Sequence, residues 1–151
     1  MTMQYQSGDI WQRAYECNGW VVVPTNTSIR KDGRAVMGAG LAKDAAERFP
    51  DLPQELATHI NRWKERIYVN SSVICLPTKR DWRAPSKLDL IMQGCHELVE
   101  FVRLMTLLNY YRPIVLPKIG CGFGGLDWER QVRPVVDCIL EDNRFVFIDR
   151  S

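Results

Sequence analysis

Two glycine-dense segments, Met37 to Leu41 (Met-Gly-Ala-Gly-Leu) and Gly120 to Gly125 (Gly-Cys-Gly-Phe-Gly-Gly), carry the chemistry most legible in this chain. Each follows a short apolar run that reads as a strand. A glycine loop lets the backbone approach a ligand closely and aim its N–H groups at it. Where a helix starts next, its N-terminus adds a positive dipole end, so the natural ligand is a phosphate or another anion. Two such loops in one small chain suggest a diphosphate gripped from both sides. The better-known phosphate motifs do not fit. Gly38 is followed by Ala39 where a P-loop needs lysine, and Lys43 stands where a dinucleotide fingerprint needs glycine. Lys43 reads as a solvated residue one turn into the following helix.

Other reactive residue types are sparse. His59 and His96, the only histidines, lie in helical stretches without metal-ligand spacing, and neither a Ser-His-Asp nor an HExxH arrangement is present. The five cysteines are odd in number and contain no CxxC pair, which fits reduced thiols in the cytoplasm. Cys121, between two glycines, resembles a nucleophile but has no neighbouring histidine to activate it, so packing is the simpler reading. No metal and no cofactor is expected. Lys79, Arg80, Trp82, Arg83 and Lys87 gather cations around an indole. That composition suits single-stranded nucleic acid, where cations track phosphates and aromatics stack on bases, or a solvated loop.

These residues need a scaffold. At 151 residues with a net charge of +2, the chain is expected to form one domain, 1–151, and to act as a monomer. No run is apolar for long enough to cross a bilayer, and the N-terminus lacks a signal-peptide pattern. Met3–Gln6, Trp20–Val23, Ile67–Val69, Ser72–Leu76, Ile114–Leu116 and Arg144–Asp149 read as strands. Helices are expected over Leu41–Phe49, from Pro53 to about Glu65, and from Ser86 onward. That last helix carries an apolar face of Leu88, Ile91, Met92, Cys95, Leu98, Val99, Val102, Met105 and Leu108. Ser86 and Asp89 resemble a capping box. Trp128–Val132 reads as a turn before a helix beginning at Pro134. Strands alternating with helices imply a mostly parallel sheet covered on both faces, with ligands bound beyond the strands' carboxyl ends.

Together, Gly8-Asp9-Ile10, Asn26 after a buried strand, Val36 to Ala42, and Gly120-Cys121-Gly122 before Leu126-Asp127-Trp128 resemble the macrodomain family of ADP-ribose binders. With Leu76-Pro77-Thr78-Lys79, Trp82 and Pro85 to Leu88, the chain is most similar to the branch of DNA ADP-ribosyl glycohydrolase antitoxins and their bacterial and phage relatives. The resemblance covers nearly the whole chain. It implies a three-layer α/β/α sandwich with a mixed, mostly parallel sheet, ADP-ribose binding, and hydrolysis of an ADP-ribosyl linkage, foremost on nucleic acid. A non-catalytic ADP-ribose module and an ADP-ribose 1″-phosphate phosphatase are the alternatives.

By position, the resemblance implies that Asp9 receives the adenine amino group and that the Ile10 backbone lies near the same ring. Gly38, Ala39, Gly40 and Leu41 would cradle the diphosphate together with Gly120, Cys121, Gly122, Phe123 and Gly124. Asn26 would face the distal ribose, and Lys79 would be the residue on which catalysis depends. A lysine drawn partly out of water can attack an anomeric carbon, or as an ammonium stabilise the leaving group. Arg80, Trp82 and Arg83 are candidate nucleic-acid contacts. Two departures stand out. The loop from Asn26 to Gly38 is longer than expected for the branch. Gly124 occupies the place where the human terminal-ADP-ribose hydrolases carry a catalytic aspartate.

Overall fold

The computed structural model describes residues 4–149; Met3, at the start of the first expected strand, lies outside them. Six strands form one sheet: β1 (Gln4–Ser7), β2 (Trp20–Asn26), β3 (Tyr68–Val69), β4 (Val73–Lys79), β5 (Ile114–Leu116) and β6 (Phe145–Asp149). Their spatial order is β1-β6-β5-β2-β4-β3, parallel throughout except for β3, which runs antiparallel to β4 at the edge. The helices are α1 (Ile10–Cys17), α2 (Gly40–Arg48), α3 (Leu52–Trp63), α4 (Leu88–Leu107) and α5 (Arg133–Ile139).

Side-chain alternation along the central strands sorts the helices into two layers. Trp20 and Val22 of β2, Ile74 and Leu76 of β4, and Phe145 and Phe147 of β6 pack with α4 and α5. Val21 and Val23, Val73 and Cys75, and Ile148 face the other way, onto α1, α2 and α3. Burial on both faces explains why these strands read as unbroken apolar runs rather than alternating ones.

Strands β2 and β4 run further than the sequence pattern suggests, through Pro24 to Asn26 and through Pro77 to Lys79. Proline lacks the N–H a sheet needs, yet both sit where none is required. The Val21 N–H donates to Ser72 of the β4 side, so alternation turns position 24 toward β5, which pairs only with Trp20 and Val21. Position 77 likewise turns toward β3, whose pairing with β4 covers only Ile74 and Cys75. Both prolines therefore stand on open stretches of strand edge.

Three local expectations are corrected. Helix α4 starts at Leu88 with Lys87 at its cap and no side-chain capping bond, so Ser86 does not form a capping box. Ser86 is buried, and its N–H donates to the Gly124 carbonyl instead. Met92 and Leu108 do not join the apolar face of α4; both are exposed. Trp128–Val132 is a wide π-helical turn leading directly into α5 rather than a plain turn. Asp127 caps it, its carboxylate accepting from the Arg130 N–H at 3.0 Å. Among the described residues, no helix is long and apolar enough to cross a membrane.

Candidate active site

A cavity of about 1070 Å³ opens at the carboxyl ends of the parallel strands. This is where an open parallel sheet places its ligands. Strand β2 delivers Pro24, Thr25 and Asn26; β4 delivers Thr78 and Lys79; Lys118 follows β5, and Asp149 ends β6. Both glycine segments line it, Gly38 to Leu41 on one side and Gly120 to Gly125 on the other.

The first segment ends in α2, whose cap, Ala39, offers no side-chain acceptor. The first N–H groups of that helix are thus left to whatever enters the cavity. A Cβ at Gly38 would meet nothing within 4 Å, so the cleft is open above it. Lys43 is exposed and approaches Glu47 at 4.0 Å, a solvated pair one turn along the helix.

The second segment is a closed loop. The Leu126 N–H donates to the Gly120 carbonyl at 3.0 Å, and the Gly125 N–H to the Gly122 carbonyl at 3.3 Å. The N–H groups of Cys121, Gly122, Phe123 and Gly124 take no part in these closing bonds. Gly120 has φ +78°, a left-handed conformation that favours glycine. Gly124 is demanded by space: a Cβ there would stand 2.1 Å from Ser86 Oγ and 2.5 Å from the Gly120 carbonyl oxygen. Any side chain is excluded, an aspartate included. Phe123 is largely exposed, and its ring reaches across to the first segment, within 4 Å of the place a Gly40 Cβ would take.

Lys79 is half-buried at the tip of β4, with Nζ 3.5 Å from the Phe123 carbonyl. Asn26 is its register partner on β2. The Asn26 amide is largely committed to holding the loop that follows: Oδ1 accepts from the Ser28 N–H at 2.9 Å and Nδ2 donates to the Val36 carbonyl at 3.2 Å. Cys121 donates its thiol to the Ile119 carbonyl at 3.2 Å, and burial pushes it up to about 11. It is therefore a poor nucleophile at neutral pH.

Asp9 does not line this cavity. Its Oδ1 caps α1, accepting from Trp11 at 2.8 Å and Gln12 at 3.1 Å, and it lines a neighbouring depression with Arg48 and Glu47. Ile10, next in the chain, lines both. Trp82 and Arg83 lie at the cavity's edge, with the Arg83 guanidinium 5.8 Å from the Trp82 ring centre. Arg80 is held by Glu65 at 2.8 Å and Asp89 at 3.1 Å, which raises its pKa and lowers that of Asp89.

Two features escaped the sequence reading. Lys118 and Asp149, both lining the cavity, form an ion pair at 3.1 Å. Lys118 sits directly between β5 and the second glycine segment, which was the available signal. Thr27 Oγ1 donates to the Arg80 carbonyl at 2.7 Å and the Trp82 N–H donates to Ser28 Oγ at 3.1 Å, joining two loops that are remote in sequence. Among the described residues, no group of three or more His, Cys, Asp or Glu side chains is arranged to hold a metal ion.

This sheet order, with helices on both faces and two glycine segments meeting over the strand ends, is a macrodomain fold, and the chain is similar to DarG macrodomains. It superposes on the macrodomain of Mycobacterium tuberculosis DarG with a TM-score of 0.75 and 29% identity, covering 99% of this chain and 98% of that one. Thermosipho africanus DarTG, solved in complex with ADP-ribose, gives a TM-score of 0.74 at 22% identity over 99% of this chain and 42% of that one. In sequence, the chain is 32% identical over 105 residues to a Mycobacterium tuberculosis protein named DNA ADP-ribosyl glycohydrolase, covering 62% of this chain. It spans 29% of the length of that relative. No protein-family model matches the chain.

Proposed function

We propose that the protein binds ADP-ribose and hydrolyses an ADP-ribosyl linkage, with modified single-stranded nucleic acid as the substrate. The observation that carries this reading is the convergence of the Lys79 amine, Asn26 and both glycine segments on one cavity. A diphosphate between the segments would meet the N–H groups at the start of α2 on one side and those of residues 121–124 on the other. Such a grip needs no metal. The adenosine would extend toward Ile10 and Asp9, and the distal ribose toward Asn26 and Lys79. The relatives' name, DNA ADP-ribosyl glycohydrolase, and the Thermosipho protein's complex with ADP-ribose support ADP-ribose as the ligand.

With the diphosphate fixed, Lys79 is the amine at the sugar end. The sugar opens as the bond from its anomeric carbon to the ring oxygen breaks, the oxygen taking a proton from water. The Nζ lone pair then bonds to that carbon as the bond to the leaving group breaks; a proton from Nζ goes to the leaving group, and a carbon–Nζ double bond remains. Water adds to this imine, the carbon–Nζ bond breaks with a proton returning to the amine, and the freed aldehyde recloses with the sugar hydroxyl. The Phe123 carbonyl orients Nζ, and the Asn26 amide keeps the loop beside it in place. Gly124 leaves no room for an aspartate, so Lys79 has no carboxylate partner from that position.

A side-by-side assay tests the reading with ADP-ribosylated single-stranded DNA, ADP-ribosylated protein and ADP-ribose 1″-phosphate. ADP-ribose released fastest from the DNA is the expected result. Tight ADP-ribose binding with every substrate left intact would make the protein a binding module. Phosphate release alone would make it a phosphatase. No ADP-ribose binding at millimolar ligand would remove the reading altogether.

A further inference from the structure

A second cavity, of about 860 Å³, adjoins the first. One wall is the long loop after β2, with Ile29, Arg30 and Lys31; the other is the segment Arg80 to Arg83. The two hydrogen bonds from Thr27 and to Ser28 fasten these walls together. Val36, Met37, Gly38, Trp82 and Arg83 line both cavities, so the two chambers share a boundary. Lys79 lines only the first and Arg80 only the second. The second cavity thus begins at the residue that follows Lys79 in the chain.

We propose that this second chamber holds the leaving group, a nucleobase with its adjoining single-strand nucleotide, stacked on Trp82. The inference rests on the hydrolase reading above. ADP-ribose ends at the anomeric carbon, so space beyond Lys79 serves only what departs from it. The volume lies in the range of small-molecule sites, roughly 300–1,000 Å³, and exceeds what one arginine or glutamate side chain would occupy. Trp82 is 53% exposed, an indole held at the rim by its backbone rather than packed into the core. An exposed indole at a cleft suits a flat aromatic partner, and bases stack on such rings regardless of their identity.

Charge decides how much of the strand is held. Arg30 pairs with Asp32, Arg83 with Asp81, and Arg80 with Glu65 and Asp89. Lys31 is exposed and makes no ion pair among the described residues. A chamber so nearly balanced does not track a long phosphate backbone. It grips one or two nucleotides through stacking, and its binding depends only weakly on salt.

The test uses the full chain carrying Lys79→Ala, so that substrate stays intact, and compares ADP-ribose, an ADP-ribosylated trinucleotide and an ADP-ribosylated peptide by calorimetry. The trinucleotide is expected to bind at least about tenfold more tightly than ADP-ribose, a gain of the size one stacked base provides. Adding Trp82→Ala should remove most of that gain. Adding Lys31→Glu should weaken the trinucleotide and leave ADP-ribose unchanged. A trinucleotide no tighter than ADP-ribose, or a peptide that gains as much, overturns the proposal. So does a Trp82→Ala loss equal for both ligands. Wild-type protein that shows these affinities yet releases no ADP-ribose sinks the hydrolase reading instead, and the chamber remains a base-binding site.

Discussion

Asn26 and Lys79 stand opposite each other at the carboxyl ends of β2 and β4, just past an irregularity in the register between Thr25 and Asn26. Up to Thr25 the two strands pair residue for residue; beyond it β4 has advanced by one more residue. The extra step places Lys79, rather than Thr78, beside Asn26. A lysine at the tip of a buried parallel strand combines a rigid base with a long arm, which suits a group that must reach one atom repeatedly.

Lys79→Ala should lower turnover on ADP-ribosylated DNA by at least about a hundredfold, the lower range for a positioned catalytic side chain. ADP-ribose affinity should stay within a few-fold, because the backbone donors remain. Reducing the reaction with borohydride should trap a covalent adduct on wild type and none on the variant. An adduct that persists without Lys79 would assign the attack elsewhere.

The two glycine positions 122 and 124 separate shape from binding. Gly124→Ala forces a Cβ against Ser86 Oγ and the Gly120 carbonyl, and overpacking of this kind costs about 1–3 kcal/mol. A clear fall in melting temperature is expected. Gly122→Ala meets nothing within 4 Å and should melt like wild type while weakening ADP-ribose, since its methyl group enters the cleft side of the loop. Equal melting temperatures for the two variants would contradict the packing described.

Asp9 has a structural task whatever else it does. Asp9→Ala removes the cap of α1 and should cost about 0.5–2 kcal/mol. Asp9→Ser retains a capping oxygen and should restore most of that stability. If ADP-ribose affinity falls with serine as much as with alanine, the carboxylate also serves the adenine. Recovery of affinity along with stability would leave it a cap alone.

Stability should fall in alkali for a specific reason. Burial pushes Cys75 and Cys95 up to about 12 and Cys121 up to about 11, from an ordinary value of 9.0. Below pH 9 the thiols are protonated in both the folded and unfolded chain, and their contribution is fully present. Between pH 9 and 11–12 the unfolded chain ionises first, so stability falls as pH rises, most for the deeply buried Cys75 and Cys95. Thermal melts at pH 7.5 and 10.5 should show the loss, and Cys95→Ala should lessen the difference. The exposed Cys17 and Cys138 should react with iodoacetamide well before Cys121 at pH 7.5.

Much of the scaffold was legible because burial on both sheet faces writes itself as apolar runs, and α4 as a repeating apolar face. The prolines at 24 and 77 hid the last residues of β2 and β4, since proline ordinarily ends a strand. Only the spatial order of neighbours reveals that those edges are open. Ser86 misled for the opposite reason: its type and spacing suit a cap, but the second glycine segment lies against it and takes its N–H.

The sequence by itself determined which residues could bind and react: the glycines that admit close backbone approach, and an amine following a buried strand. Those properties belong to single side chains and short segments, and survive without a fold. Tertiary structure decided their relations. It set Asn26 against Lys79 through a register slip, closed Gly124 to any side chain, and tied Arg80 to two carboxylates. It also joined two loops into a second chamber. Each of these depends on contacts between segments far apart in the chain, which no local pattern encodes.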